Sequence, residues 1–186
     1  MIEPFAITLF PVVFLIILFG GGALMHRRHV DMDGDPPIDR RLFYASKYSV
    51  VAVWAAMVAQ AWGLGLPLAA RPDWVRWTSI GFWMCGFVLL LAGRLTMGES
   101  FRIGSPQERT GLRVDGLFKV SRNPMYLGVF TTLLAATLYT LNPLVFLIAM
   151  FIVIVHHRIV LAEEAYLREV FGSEYAEYCR RVGRYF

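Results

Sequence analysis

Charge is what this sequence has least of. Asp, Glu, Lys and Arg make up only 17% of its 186 residues, against roughly 25% in an ordinary soluble domain. Hydrophobic residues make up 57%. Cysteine is almost absent as well: Cys85 and Cys179 stand alone, with no Cys-x-x-Cys pair. That excludes a disulfide framework and a cysteine-based zinc site, and no metal is implied elsewhere. The length suits one domain, and the composition reads as a multi-span membrane protein.

The charges are missing in blocks. Residues 4–25, 48–70, 77–93 and 123–157 contain no Asp, Glu, Lys or Arg. A crossing takes about 20 apolar residues at 1.5 Å rise each. The first three blocks predict one helix each, so residues 1–93 hold three transmembrane helices. The fourth is too long for one crossing. Asn142-Pro143 breaks it, because proline removes a backbone donor and disfavours helix in the residue before it. The expected fold is therefore all-α and integral to the membrane. It has five transmembrane helices, a tight hairpin of the last two, and a cytoplasmic C-terminal helical tail, the final helix running on toward Phe171. The leading Met1-Ile2-Glu3-Pro4 carries an acid and no base, and no small-residue cleavage site follows, so the first helix is expected to be retained rather than removed as a signal peptide.

The charges that remain are lopsided. With the N-terminus extracytoplasmic, 16 of the 18 Lys and Arg residues fall on inside segments, and only Arg71 and Arg76 fall outside. The positive-inside rule then predicts a multi-pass protein of the cell inner membrane with its C-terminus in the cytoplasm. The net charge of +4 is a topology signal and calls for no nucleic acid. All the long connections (26–43, 93–122 and the tail beyond Val160) face the cytoplasm, where function is expected.

Two motifs lead away from the obvious. "DMDGD", Asp31 to Asp35, opens like a calcium loop but has Leu42 where the twelfth-position glutamate belongs. Gly20-Gly21-Gly22 lies inside an apolar helix, so it reads as close helix packing and not as a nucleotide loop. It leaves monomer and homodimer both open.

The chemistry gathers at two places. Residues 156–164 hold His156, His157, Arg158, Glu163 and Glu164 at the end of a membrane helix, where ionisable groups are costly unless they pair or serve a ligand. Spacing of seven puts His156 with Glu163, and His157 with Glu164, on common faces. The other place is "SRNPMYLG", Ser121 to Gly128. Arg122 supplies a cation, Asn123 a donor and an acceptor, and Pro124 starts the helix without losing a hydrogen bond. The free amides there favour anions. The hairpin brings the two places together, giving one pole for a carboxylate and one for an ammonium. A zwitterionic amino acid moiety fits between them, as on S-adenosyl-L-methionine, whose sulfonium also favours acidic or π-rich walls.

"GLFKVSRNPMYLG", followed by "EEAYLREVFGSEYAEYCRRVGRYF", resembles the isoprenylcysteine carboxyl methyltransferase and phospholipid methyltransferase superfamily over roughly Leu95 to Phe186. "TMGESFRIG", Thr96 to Gly104, is similar to the element that precedes this pattern. The resemblance implies an integral membrane S-adenosylmethionine-dependent methyltransferase whose residues 94–186 bind the cofactor. Arg122, Asn123, Pro124 and Tyr126 then line the cofactor, flanked by Gly116 and Phe118, with His156 and Glu163 beside them. Glu164 holds either the methionine end or the acceptor. Isoprenylcysteine enzymes typically have His at the position of Asn123, a departure that bears on the acceptor. Methyl transfer depends mainly on placing donor and acceptor. An amine acceptor needs a base, for which Glu164, Glu99 and His157 are candidates. The acceptor is expected to be a lipid-like or small hydrophobic amphiphile bearing an amine, thiol or carboxylate. Two rival readings are a sterol-type NADPH-dependent membrane reductase and a non-enzymatic membrane partner protein.

Overall fold

A computed structural model describes residues 2–26, 36–65, 70–97 and 111–186. They form five α-helices: α1 (Ile2–His26), α2 (Arg40–Ala61), α3 (Asp73–Met97), α4 (Pro124–Thr140) and α5 (Pro143–Arg181). A 3-10 turn, Gly116–Lys119, precedes α4, and no strand occurs among the described residues. Helices α2, α3 and α5 are long and apolar enough to cross a membrane, and α1 has a shorter apolar stretch, Ile2–Leu18. The 17 residues of α4 reach about 26 Å and the 39 of α5 about 58 Å, at 1.5 Å each. So α5 is about twice the depth of a hydrocarbon core. Its residues 143–157 carry no charge, and the part from Arg158 onward lies beyond that apolar stretch.

Local chemistry sets the helix ends. Asp39 caps α2, accepting from the amides of Arg41 at 3.0 Å and Leu42 at 3.1 Å. Asn142 caps α5, accepting from the Leu144 amide at 2.9 Å, ahead of Pro143. Only Leu141 and Asn142 join α4 to α5. Leu141 takes a left-handed conformation, with φ 47°, and its amide bonds the Thr137 carbonyl at 2.9 Å. Within α5 the backbone is kinked at Gly172, which divides it into two helical stretches. Gly172, at φ 51° and ψ −119°, interrupts the helical backbone, which resumes at once and runs on to Arg181. Left-handed geometry is cheap only for glycine.

An aromatic core holds α1 to α4 together. Trp54, Trp83, Phe87 and Phe14 are buried and in ring contact. Their polar atoms are matched: Trp54 Nε1 donates to Thr132 Oγ1 at 2.9 Å, and Trp83 Nε1 donates to the Ile7 carbonyl at 3.0 Å. Helices α3 and α4 approach closely at Gly86 and Gly128. A Cβ on either would lie 2.9 Å from the other's carbonyl oxygen. At one end of the bundle Glu3 ties α1 to Arg76 of α3 and to the Tyr139 hydroxyl of α4. Gly20 has open space around it, with nothing within 4 Å of a Cβ. Gly21 and Gly22, the rest of that expected packing motif, lie outside the residues whose surroundings are described.

Candidate functional site

The start of α4 and the charged part of α5 meet at the other end, as the sequence predicts. The contacts sort by helical face. On α5, His156 and Glu163 share one stripe, and His157 and Glu164 share another. The two stripes meet different neighbours.

The Glu164 stripe meets the Ser121–Asn123 corner. Arg122 donates from Nε at 3.2 Å and Nη2 at 3.1 Å to Glu164 Oε1, and Asn123 Nδ2 donates to the same oxygen at 3.1 Å. Arg184 donates from Nε at 3.0 Å and Nη2 at 2.9 Å to Glu164 Oε2. The Arg122 and Glu164 side chains are only 10% and 4% exposed. Burial alone pushes the Glu164 carboxyl up, but the Arg184 hydrogen bonds and the charge and hydrogen bonds of Arg122 outweigh it and hold it below its ordinary range. The same hydrogen bonds raise Arg184. The ion-pair partner of Arg122 is therefore Glu164.

Residues 182–186 fold back over this corner as a short strap. Arg122 gives its amide to the Gly183 carbonyl at 3.0 Å. Its Nη1 reaches the carbonyls of Val182 at 2.8 Å and Cys179 at 3.3 Å. Ser121 Oγ and Asn123 Nδ2 both donate to the Arg184 carbonyl. Tyr185 puts its hydroxyl 2.8 Å from His157 Nδ1 and its ring against Phe130.

The Glu163 stripe is different. Tyr126 donates to Glu163 Oε1 at 2.9 Å, and its ring meets His156 edge-on at 5.8 Å. His156 Nδ1 lies 3.0 Å from the Ile152 carbonyl. Among the described residues no cation pairs with Glu163. Burial pushes its carboxyl up to about 7, against the pull of the Tyr126 hydrogen bond. Phe43 of α2 packs nearby with Val155, Ile159 and Tyr126. This half is an aromatic wall around a carboxyl group that enters none of the ion pairs seen among the described residues, and an aromatic wall suits a positive group.

The other expected residues frame the corner. Gly116 is left-handed, with φ 57°, and abuts Thr96. Phe118 is buried with Tyr175, Tyr178 and Val182, and its carbonyl accepts from the Tyr178 hydroxyl at 2.6 Å. Pro124 is buried at the first turn of α4. Glu99 lies outside the described residues. The sequence alone does not single out Arg184 and Tyr185. A usable signal existed: buried Glu164 is hard to leave with fewer than two donors.

The phospholipid methyltransferase family pattern matches residues 74–174, more than half of the chain. Those residues include α3, α4, the Arg122–Tyr126 corner and both glutamates, and exclude α2 and the strap. The chain is also similar to the protein-S-isoprenylcysteine O-methyltransferase of Saccharomyces cerevisiae. The two are 41% identical over 70 residues, covering 37% of this chain and 29% of that protein. The Arg122–Tyr126 corner and both glutamates thus lie inside the matched segment, and the chain belongs to the phospholipid methyltransferase family.

Proposed function

We propose that the chain transfers a methyl group from S-adenosyl-L-methionine to an amphiphilic, lipid-like acceptor at the cytoplasmic face of the membrane, with five helices crossing and the N-terminus outside. The observation that carries this reading is Glu163, without an ion pair among the described residues and bonded to Tyr126, whose ring meets His156, inside the family-matched segment.

The residues fit the cofactor by their chemistry. It is a cation at sulfur and a zwitterion at its amino acid end. Glu163, Tyr126 and His156 suit positive charge and sulfonium. When bound, the cofactor supplies an electrophilic methyl group. What the protein adds is placement, since direct displacement needs donor and acceptor in line more than it needs acid or base. Glu163 has an oxygen to spare for a cation, and its raised carboxyl suits proton uptake from an amine or thiol acceptor near neutral pH. Glu164 is a poorer base, because three partners already occupy both its oxygens. The Arg122–Asn123 pair therefore acts chiefly as a frame. It holds the start of α4 and the strap in register, with Phe118 and Pro124 packed behind. His157, bonded to Tyr185, borders the side from which an acceptor approaches.

The test is ligand-dependent thermal stability of the purified full chain in detergent. A ligand that binds only the folded state raises the midpoint by mass action. S-Adenosyl-L-methionine, which carries the sulfonium charge, should raise it for wild type and not for Glu163→Gln, and S-adenosylhomocysteine should raise it for wild type. A shift with NADPH and none with S-adenosylhomocysteine overturns the reading in favour of a reductase.

A further inference from the structure

The groups of the Arg122 corner have little capacity left for a ligand. A guanidinium has five N–H donors and a primary amide two. Arg122 directs Nε, Nη1 and Nη2 to Glu164, Val182 and Cys179. Asn123 splits its amide between Glu164 and the Arg184 carbonyl. Both Glu164 oxygens are taken. Much of this satisfaction comes from the strap, which the family pattern does not reach.

The strap also reaches toward the aromatic half. Tyr185 contacts Phe130 and His157. Phe130 is one turn along α4 from Tyr126, and His157 is next to His156. The fold-back depends on Gly183, where a Cβ would collide with the Phe186 carbonyl. The strap thus spans from the charged corner to the rim of the Glu163 half; Tyr185 meets His157 of α5, and Arg184 fixes the strap to α5 by a two-pronged charged contact with Glu164.

We propose that Arg184 is a positioning residue: by clasping Glu164 it holds the strap Val182–Phe186 as a cover beside the Glu163 half, and so retains the bound methyl donor. This rests on the reading of that half as the cofactor site. Arg184 touches no reacting atom in this scheme. It acts through Glu164 and through its own carbonyl, which anchors Ser121 and Asn123. Its side chain is 36% exposed, so the clasp can open without unfolding the buried Arg122–Glu164 pair beneath it.

The experiment measures two things on full-length wild type, Arg184→Ala and Arg184→Lys in nanodiscs. The first is the dissociation rate of S-adenosylhomocysteine. Loss of a charge-assisted contact at a partly exposed site should speed it about tenfold in Arg184→Ala, with Arg184→Lys in between, because lysine keeps the charge and loses the fork. The second is hydrogen exchange at the Arg122 amide, whose acceptor is the strap carbonyl of Gly183. It should accelerate in Arg184→Ala without ligand. Faster exchange with an unchanged dissociation rate overturns the positioning role. Unchanged exchange overturns the clasp itself, and does so even if wild type proves not to bind S-adenosylhomocysteine, an outcome that separately defeats the methyl-donor reading.

Discussion

Two adjacent glutamates should give opposite phenotypes. Consider Glu164→Gln first. The Arg122–Glu164 pair is buried, with side chains 10% and 4% exposed. Removing one partner's charge strands the other's, which costs about 3–5 kcal/mol at a buried site. Glutamine keeps an oxygen for Arg122 and Asn123, which points to the lower end. Its amide nitrogen, however, must face the Arg184 guanidinium. The Arg184 contact itself adds little, because that side chain is 36% exposed and screened by solvent. A loss of about 3 kcal/mol lowers the melting midpoint of a chain this size by roughly 6–12 °C. Now consider Glu163→Gln. Its hydrogen bond from Tyr126 survives, since an amide oxygen accepts as well, and no cation is stranded. The midpoint should stay within about 2 °C of wild type, or rise, because a charge is removed from a half-buried place. Thermal unfolding of detergent-purified protein, followed by loss of the monodisperse peak in size exclusion, measures both. Equal drops in the two variants, or a drop below about 2 °C in Glu164→Gln, refute the assignment of Glu164 to the frame and Glu163 to the ligand.

Acid should tell the two glutamates apart in the same assay. Glu164 is held below its ordinary range, so the stability it contributes is present above the ordinary carboxylate pKa and lost as pH falls through its folded value; the gap between wild type and Glu164→Gln should close there. Glu163, raised to about 7, has the opposite sign: stability falls as pH rises from the ordinary carboxylate value toward 7, and Glu163→Gln should remove that slope. Gly128→Val should destabilise by about 1–3 kcal/mol or more through overpacking, because its Cβ meets the Gly86 carbonyl at 2.9 Å; an unchanged midpoint would mean α3 and α4 do not pack this closely.

Why was the cluster legible in the sequence while its pairing was not? Helical geometry alone predicts that His156 and Glu163 share a face, as do His157 and Glu164, because seven residues make nearly two turns. The break at Asn142-Pro143 and the left-handed Gly172 are legible for the same reason: each is a backbone property of one residue type. Which stripe meets Arg122 is another kind of fact. It depends on how α4 and α5 are rotated about their axes. That rotation is set by the two-residue connection through Leu141 and by the close approach of Gly128 to Gly86 on α3. Neither constraint is local to the site. Arg184 is harder still, since it lies 20 residues from Glu164 and arrives by the fold-back at Gly183. One general argument could have found it. A buried carboxylate beside a single arginine has an oxygen to spare, and burial makes an unmet acceptor expensive. A second donor was therefore owed to whichever glutamate met Arg122, and the strap supplies it.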